Sequence, residues 1–136
     1  MHFPADSSAA ESPQRLEAEH EVQFGLFGAL ADAIDEGRSR EQVGELLDQL
    51  VEYTSVHFMS EQLVMRLYAY PAYQAHLEEH DALMEQLENL RSRFRQGGDE
   101  DLSAMVESLR QWLRRHMTNH DRPWDRFLRR QQGLLG

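Results

Sequence analysis

Histidines and a glutamate recur at spacings that place them on helix faces otherwise given to apolar residues. His57-Phe58-Met59-Ser60-Glu61 and His76-Leu77-Glu78-Glu79-His80 each carry an i,i+4 pair, and side chains four apart project from one side of an α-helix. His20 and His116 interrupt the apolar stripes of their own segments in the same way. A buried imidazole or carboxylate without a partner costs several kcal/mol. One such histidine is ordinarily a hydrogen-bonded core residue, but five with a glutamate on matching faces call for a common cause. Imidazole with carboxylate suits iron, zinc, copper or nickel and poorly suits calcium or magnesium. Five imidazoles are too many for one tetrahedral zinc, and are about right for two metals sharing bridging carboxylates.

The last ligand-bearing segment offers two candidates. His116 and His120 make a further i,i+4 pair, whereas Asp121 lies five residues on, about 140° round an ideal helix. A carboxylate would balance two cations better than a neutral ring, and a local widening of the helix near Pro123, of the π-bulge kind, would aim Asp121 inward. Spacing alone leaves His120 and Asp121 both open.

Four amphipathic segments must position these groups. The chain has 136 residues, enough for one domain with a sizeable core. Residues 1–13, with Pro4, Ser7, Ser8, Ser12 and Pro13, read as a flexible N-terminal arm. A first helix is expected over 14–36, with Leu16, His20, Phe24, Phe27, Ala31 and Ile34 inward, ended by Gly37. Ser39 caps a second over 40–68, with Val43, Leu46, Leu50, Thr54, His57, Glu61, Val64 and Tyr68 inward. After the Tyr70-Pro71 break, a third over 72–96 turns Tyr73, His76, His80, Leu83, Leu87, Leu90 and Phe94 inward. Gly97-Gly98 ends it, and Asp99 can cap a fourth over 99–121 bearing Leu102, Met105, Leu109, Trp112, Leu113 and His116. Pro123 then disturbs that helix, and an Arg-rich tail closes the chain. Short connections force antiparallel neighbours, so the fold class is all-α, an up-down-up-down four-helix bundle over 14–128 with a tail at 129–136. Counted from the end holding the turns at 37–39 and 97–98, every candidate ligand lies roughly 24–32 Å along its helix at ~1.5 Å per residue. Four helices thus deliver side chains to one layer.

Composition removes other chemistries. With no cysteine there is no disulfide, thiolate metal site, iron–sulfur cluster or thiol nucleophile. All 14 basic residues are arginine, which excludes a Schiff-base or phosphate-loop lysine. A net charge of −10 opposes binding to a phosphate backbone, so no nucleic acid is expected. No apolar run reaches the ~18–20 residues of a membrane span. Met1-His2-Phe3-Pro4-Ala5-Asp6 lacks the basic start and apolar stretch of a signal peptide, so a cytoplasmic protein is expected. Glu17-Ala18-Glu19-His20 is a lone Glu-x-x-His, whereas ferritin-like oxidases carry two. Gly97-Gly98-Asp99-Glu100 reads as a helix–helix turn, and Arg122, Arg126, Arg129 and Arg130 as a solvated helix end.

Taken together, His20, His57-Phe58-x-x-Glu61, His76-x-x-x-His80 and Trp112-Leu113-x-x-His116-x-x-x-x-Asp121 resemble the ligand pattern of the single-domain bacterial hemerythrins across residues 15–128. The resemblance implies a non-haem di-iron centre: two iron ions (Fe2+/Fe3+) joined by an oxo or hydroxo bridge, with O2 as ligand. It implies His76, His80 and His116 on one iron, His20 and His57 on the other, and Glu61 and Asp121 bridging. His120 becomes a surface or supporting residue, and Leu113 a wall of the dioxygen pocket. The open position on the two-histidine iron implies reversible dioxygen binding for transport, storage or scavenging, with no enzymatic role and dioxygen as the partner. Alternatives are a sensor of O2, nitric oxide or redox state acting through a separate protein, and a di-iron peroxidase or nitric oxide reductase. Glu19-His20-Glu21 departs from the family's usual Gln-His-Lys run, and the family's Trp-Asp element before the first helix is missing. Gly28, near the inner stripe, suggests extra space beside the second iron.

Overall fold

A computed structural model of the chain describes residues 13–97 and 101–133. Helix α1 spans Pro13–Asp35, α2 Arg40–Leu67, α3 Tyr73–Arg95 and α4 Leu102–His116. A π-helical segment, Met117–Asp121, continues α4 into α5, Arg122–Gln131. No strand occurs among the described residues. α1 packs on α2 and α4, and α3 packs on α2 and α4, which closes the antiparallel four-helix bundle.

Local chemistry sets the boundaries. Gly37 (φ 70°) and Gly97 (φ 90°) supply the left-handed residues that end α1 and α3. Ser39 opens α2 with a reciprocal box: its Oγ accepts from the Gln42 N–H at 3.1 Å, and its own N–H donates to Gln42 Oε1 at 3.3 Å. Between α2 and α3, Ala69 takes φ 51° and the Tyr70 N–H reaches back to the Met65 carbonyl at 2.9 Å. Of the arm expected over residues 1–13, Pro13 instead opens α1, and the rest of it, like the Asp99 cap, lies outside the described residues.

Pro123 does not stop the fourth helix. It sits in the first turn of α5, where a missing N–H costs nothing, and helix continues through Arg129 and Arg130, the start of the expected tail, to Gln131. Trp124 and Leu128 anchor this extension, both fully buried.

Of the expected α3 stripe, His76, His80, Leu83, Leu87, Leu90 and Phe94 are buried and Tyr73, in the first turn, is half-buried. On α1 the most buried line is Gln23, Phe27, Leu30 and Ala33, while Phe24, Ala31 and Ile34 are half-buried. A helix inside a bundle contacts neighbours on two sides, so its inner face is wider than one stripe. Leu47, Val51, Phe58, Met65 and Val106 join the core for the same reason. Two apolar clusters result. One is built around Phe27, Leu50, Leu83, Leu87 and Val106; the other around Leu16, Met65, Tyr70, Trp124 and Leu128.

Replacing Ser39 with Ala should lower stability by about 1 kcal/mol. Equilibrium urea unfolding should show an earlier midpoint with an unchanged slope; an unmoved midpoint would mean that the box contributes nothing.

Candidate metal centre

Between the two apolar clusters lies a polar layer. His57, Glu61, His76, His80, His116 and Asp121 are each at most 5% exposed. The His20 side chain, at 19%, is the most open of the seven candidates. α2 and α3 each give two groups at i,i+4, and α1 gives His20. The fourth helix gives His116 at the end of α4 and Asp121 at the end of the π segment. The wider π turn brings Asp121, five residues after His116, round to the interior. His120 is left at the rim, its side chain 31% exposed and its ring stacked on that of His116. Sequence spacing leaves these two residues open, and the helix widening separates them.

The donor atoms form two groups. Glu61, His76, His80, His116 and Asp121 each bring one ligand atom within 4.8 Å of all the others, and His20, His57 and Glu61 do the same. Both carboxylates divide their oxygens between the two sides. Glu61 Oε1 lies 3.2 Å from His76 Nε2 and 3.0 Å from His80 Nε2. Its Oε2 lies 3.6 Å from both His20 Nε2 and His57 Nε2. Asp121 Oδ1 lies 3.0 Å from His76 Nε2 and 3.2 Å from His116 Nε2, and its Oδ2 lies 3.3 Å from His20 Nε2.

Of these close approaches, only His76 Nε2 with Asp121 Oδ1, at 3.0 Å, is a hydrogen bond. Both Glu61 oxygens and the Nε2 atoms of His20, His80 and His116 are buried without a hydrogen-bond partner. Orphaned polar atoms at this density are rare in folded proteins, and each costs about 1–3 kcal/mol or more. Cations at the points these lone pairs face would remove that cost, so the residues fit a metal site.

The outward ring nitrogens are already engaged. His57 Nδ1 donates to Glu19 Oε1 at 2.6 Å, His80 Nδ1 to Gln62 Oε1 at 2.8 Å, and His116 Nδ1 to Glu79 Oε1 at 3.3 Å. Such bonds fix the tautomer that leaves Nε2 free as a ligand, and hold the ring in place. Sequence reasoning alone does not single out Glu19, Gln62 and Glu79 as supports. Each directly adjoins a candidate ligand (His20, Glu61 or His80) yet serves a histidine of a neighbouring helix. A residue beside a ligand on the edge of an inner face is the available signal.

Electrostatics follow from the enclosure. Burial pushes the Glu61 carboxyl up, but His20, His76 and His80 outweigh it and hold the group well below the carboxylate range. Burial and the Glu61 charge also oppose ionisation of Asp121, yet His116 and His76 bring it down to about 2. At His76 burial disfavours the charged ring, but Asp121 and Glu61 raise it to about 9. Burial prevails at His80, lowered to about 4. Without metal, the two buried negative charges are balanced by protons on selected rings, and an arriving cation must displace those protons.

A profile for the Hemerythrin HHE cation binding domain matches residues 13–124. The chain belongs to the hemerythrin family. The bacteriohemerythrin of Methylococcus capsulatus is 31% identical over 104 residues, covering 76% of this chain and 79% of its own. That of Stenotrophomonas maltophilia is 37% identical over 86 residues, covering 62% of this chain and 55% of its own. That of Aquifex aeolicus is 24% identical over 108 residues, covering 78% of this chain and 82% of its own. No solved structure gives a significant match. The hemerythrin layer of this chain is entered beside His20, where Leu16, Glu17, Met117, Asp121, Arg122, Asp125 and Arg129 line an open cleft of about 300 Å³.

Gly28 does not open the layer, contrary to the sequence-based expectation. It lies eight residues beyond His20, about 12 Å along α1, and a Cβ there would meet the Arg110 guanidinium at 3.8 Å. Glu19, which departs from the family's usual residue, is instead the residue that orients His57.

Glu19→Ala should weaken metal binding on the His20/His57 side about 10–100-fold, leaving the three-histidine side occupied. Metal analysis after graded chelator challenge would register this as earlier loss of metal than in the parent. Loss in step with the parent would mean that His57 needs no such support.

Proposed function

We propose that the chain is a non-haem di-iron protein that binds dioxygen reversibly, for storage, delivery or scavenging. In this reading His76, His80 and His116 hold one iron, His20 and His57 hold the other, and Glu61 and Asp121 bridge the pair. One observation carries it: two buried carboxylates share their oxygens between a three-histidine and a two-histidine group. The two-histidine side has fewer protein donors, which favours an external ligand there. When bound, an iron pair supplies two electrons and an open position, the requirements of reversible dioxygen uptake.

The chain's own residues would then do three things. Neutral imidazoles dominate the donor set and stabilise oxidised iron less than carboxylates would, which favours release over permanent oxidation. Glu19, Gln62 and Glu79 hold three of the rings in register from outside. Leu113, fully buried one turn from His116, together with Leu83 and Phe58, keeps bulk water from the inner side of the layer. Phe58 stacks on the His80 ring at 3.7 Å between centroids, so it also restricts that ligand's rotation. The name bacteriohemerythrin on the relatives is consistent with a binding rather than a catalytic role.

The test is oxygenation of protein loaded anaerobically with ferrous iron. A visible charge-transfer band should rise on adding O2, vanish on its removal, and return over repeated cycles. Irreversible oxidation at the first exposure would contradict the carrier reading and favour sensing or catalysis.

A further inference from the structure

The layer next to the candidate ligands, toward the 37–39 turn, is not uniformly apolar. One turn inward from His20, His57, His80 and His116 stand Gln23, Thr54, Leu83 and Leu113, because α1 and α3 run toward that end and α2 and α4 run away from it. All four are completely buried. The two leucines lie on α3 and α4, which carry the three-histidine group. The two polar residues lie on α1 and α2, beneath the two-histidine group. Gln23 Nε2 donates to Thr54 Oγ1 at 3.1 Å, and the other end of the Gln23 amide, Oε1, is buried with no partner.

An orphaned amide end in a core costs about 1–3 kcal/mol, and a leucine at this place would avoid that cost. The Thr54 hydroxyl both donates and accepts, so it can hold either end of the amide. With the amide turned over, Thr54 Oγ–H donates to Oε1 and the Gln23 NH2 is the free end. The pair thus offers, one helical turn from His20 and His57, either a donor or an acceptor that no protein group uses.

We infer that Gln23, held by Thr54, is a ligand-positioning residue that hydrogen-bonds a small polar or anionic ligand on the two-histidine side of the centre. This rests on the di-iron reading above and adds a specificity to it. A wholly apolar floor would favour neutral diatomics alone, whereas this floor also favours a ligand that accepts a hydrogen bond.

Azide is the probe, titrated into the oxidised, iron-loaded chain and followed by its charge-transfer band. Gln23→Leu should weaken azide about tenfold, the equivalent of one hydrogen bond to a charged group. Thr54→Val, which releases the amide, should weaken it less, and Thr54→Ser should keep the parent affinity. In the parent, the infrared stretch of bound azide should shift between H2O and D2O, and Gln23→Leu should lose part of that shift. A merely structural role would change the urea midpoint of the metal-free variant and leave azide affinity unmoved. A loaded Gln23→Leu chain binding azide as tightly as the parent would overturn this inference alone, as would an azide stretch in the parent that is insensitive to D2O. A parent chain that takes up no pair of iron ions would overturn the underlying reading as well.

Discussion

Two carboxylates held out of water among five imidazoles are the constraint to which the rest of the bundle answers. Glu61 is 1% exposed and Asp121 5%, and the desolvation of each ion costs several kcal/mol. At Glu61 hydrogen bonds do not offset this, because both of its oxygens lack partners, whereas Asp121 Oδ1 has the His76 ring. Protons on selected rings compensate in part: against burial, Asp121 and Glu61 raise His76 to about 9, whereas burial lowers His80 to about 4. Cations would compensate more completely. The two apolar clusters on either side confine the polar layer to one level of the bundle.

That level is reached by different means on different helices. α2 and α3 use regular i,i+4 spacing. The fourth helix must bring His116 and Asp121, five residues apart, to the same place, and only a widened turn does this. Apolar burial in α5 offsets the cost of the π segment. α5 restarts at Arg122 and seats Trp124 and Leu128 beneath the layer. Outside the ligands, Glu19, Gln62 and Glu79 tie α1 to α2, α2 to α3 and α3 to the fourth helix through the ligand rings. Metal affinity and helix packing are therefore coupled.

Much of this is legible in the sequence because periodicity and spacing carry it directly. The α3 stripe and the convergence of four helices on one level follow from counting residues. Features beyond the reach of counting depend on contacts between helices. The Gln23–Thr54 pair is hidden because Gln reads as a surface residue and the apparent α1 stripe runs one position aside, through Phe24. Glu19 is visible only as a departure from a familiar pattern, since its partner His57 is 38 residues away. Pro123 reads as a disturbance because proline opposes helix interiors, yet after a π turn it occupies a first-turn position. Gly28 misleads because nearness to a stripe says nothing of height along the helix.

Crystals of the iron-loaded chain, measured by anomalous diffraction at the iron absorption edge, test the central claim most directly. Two peaks should appear in the buried layer, one among His76, His80 and His116 and one beside His20 and His57, with Glu61 and Asp121 each reaching both. A single peak, or none at that level of the bundle, would contradict the account.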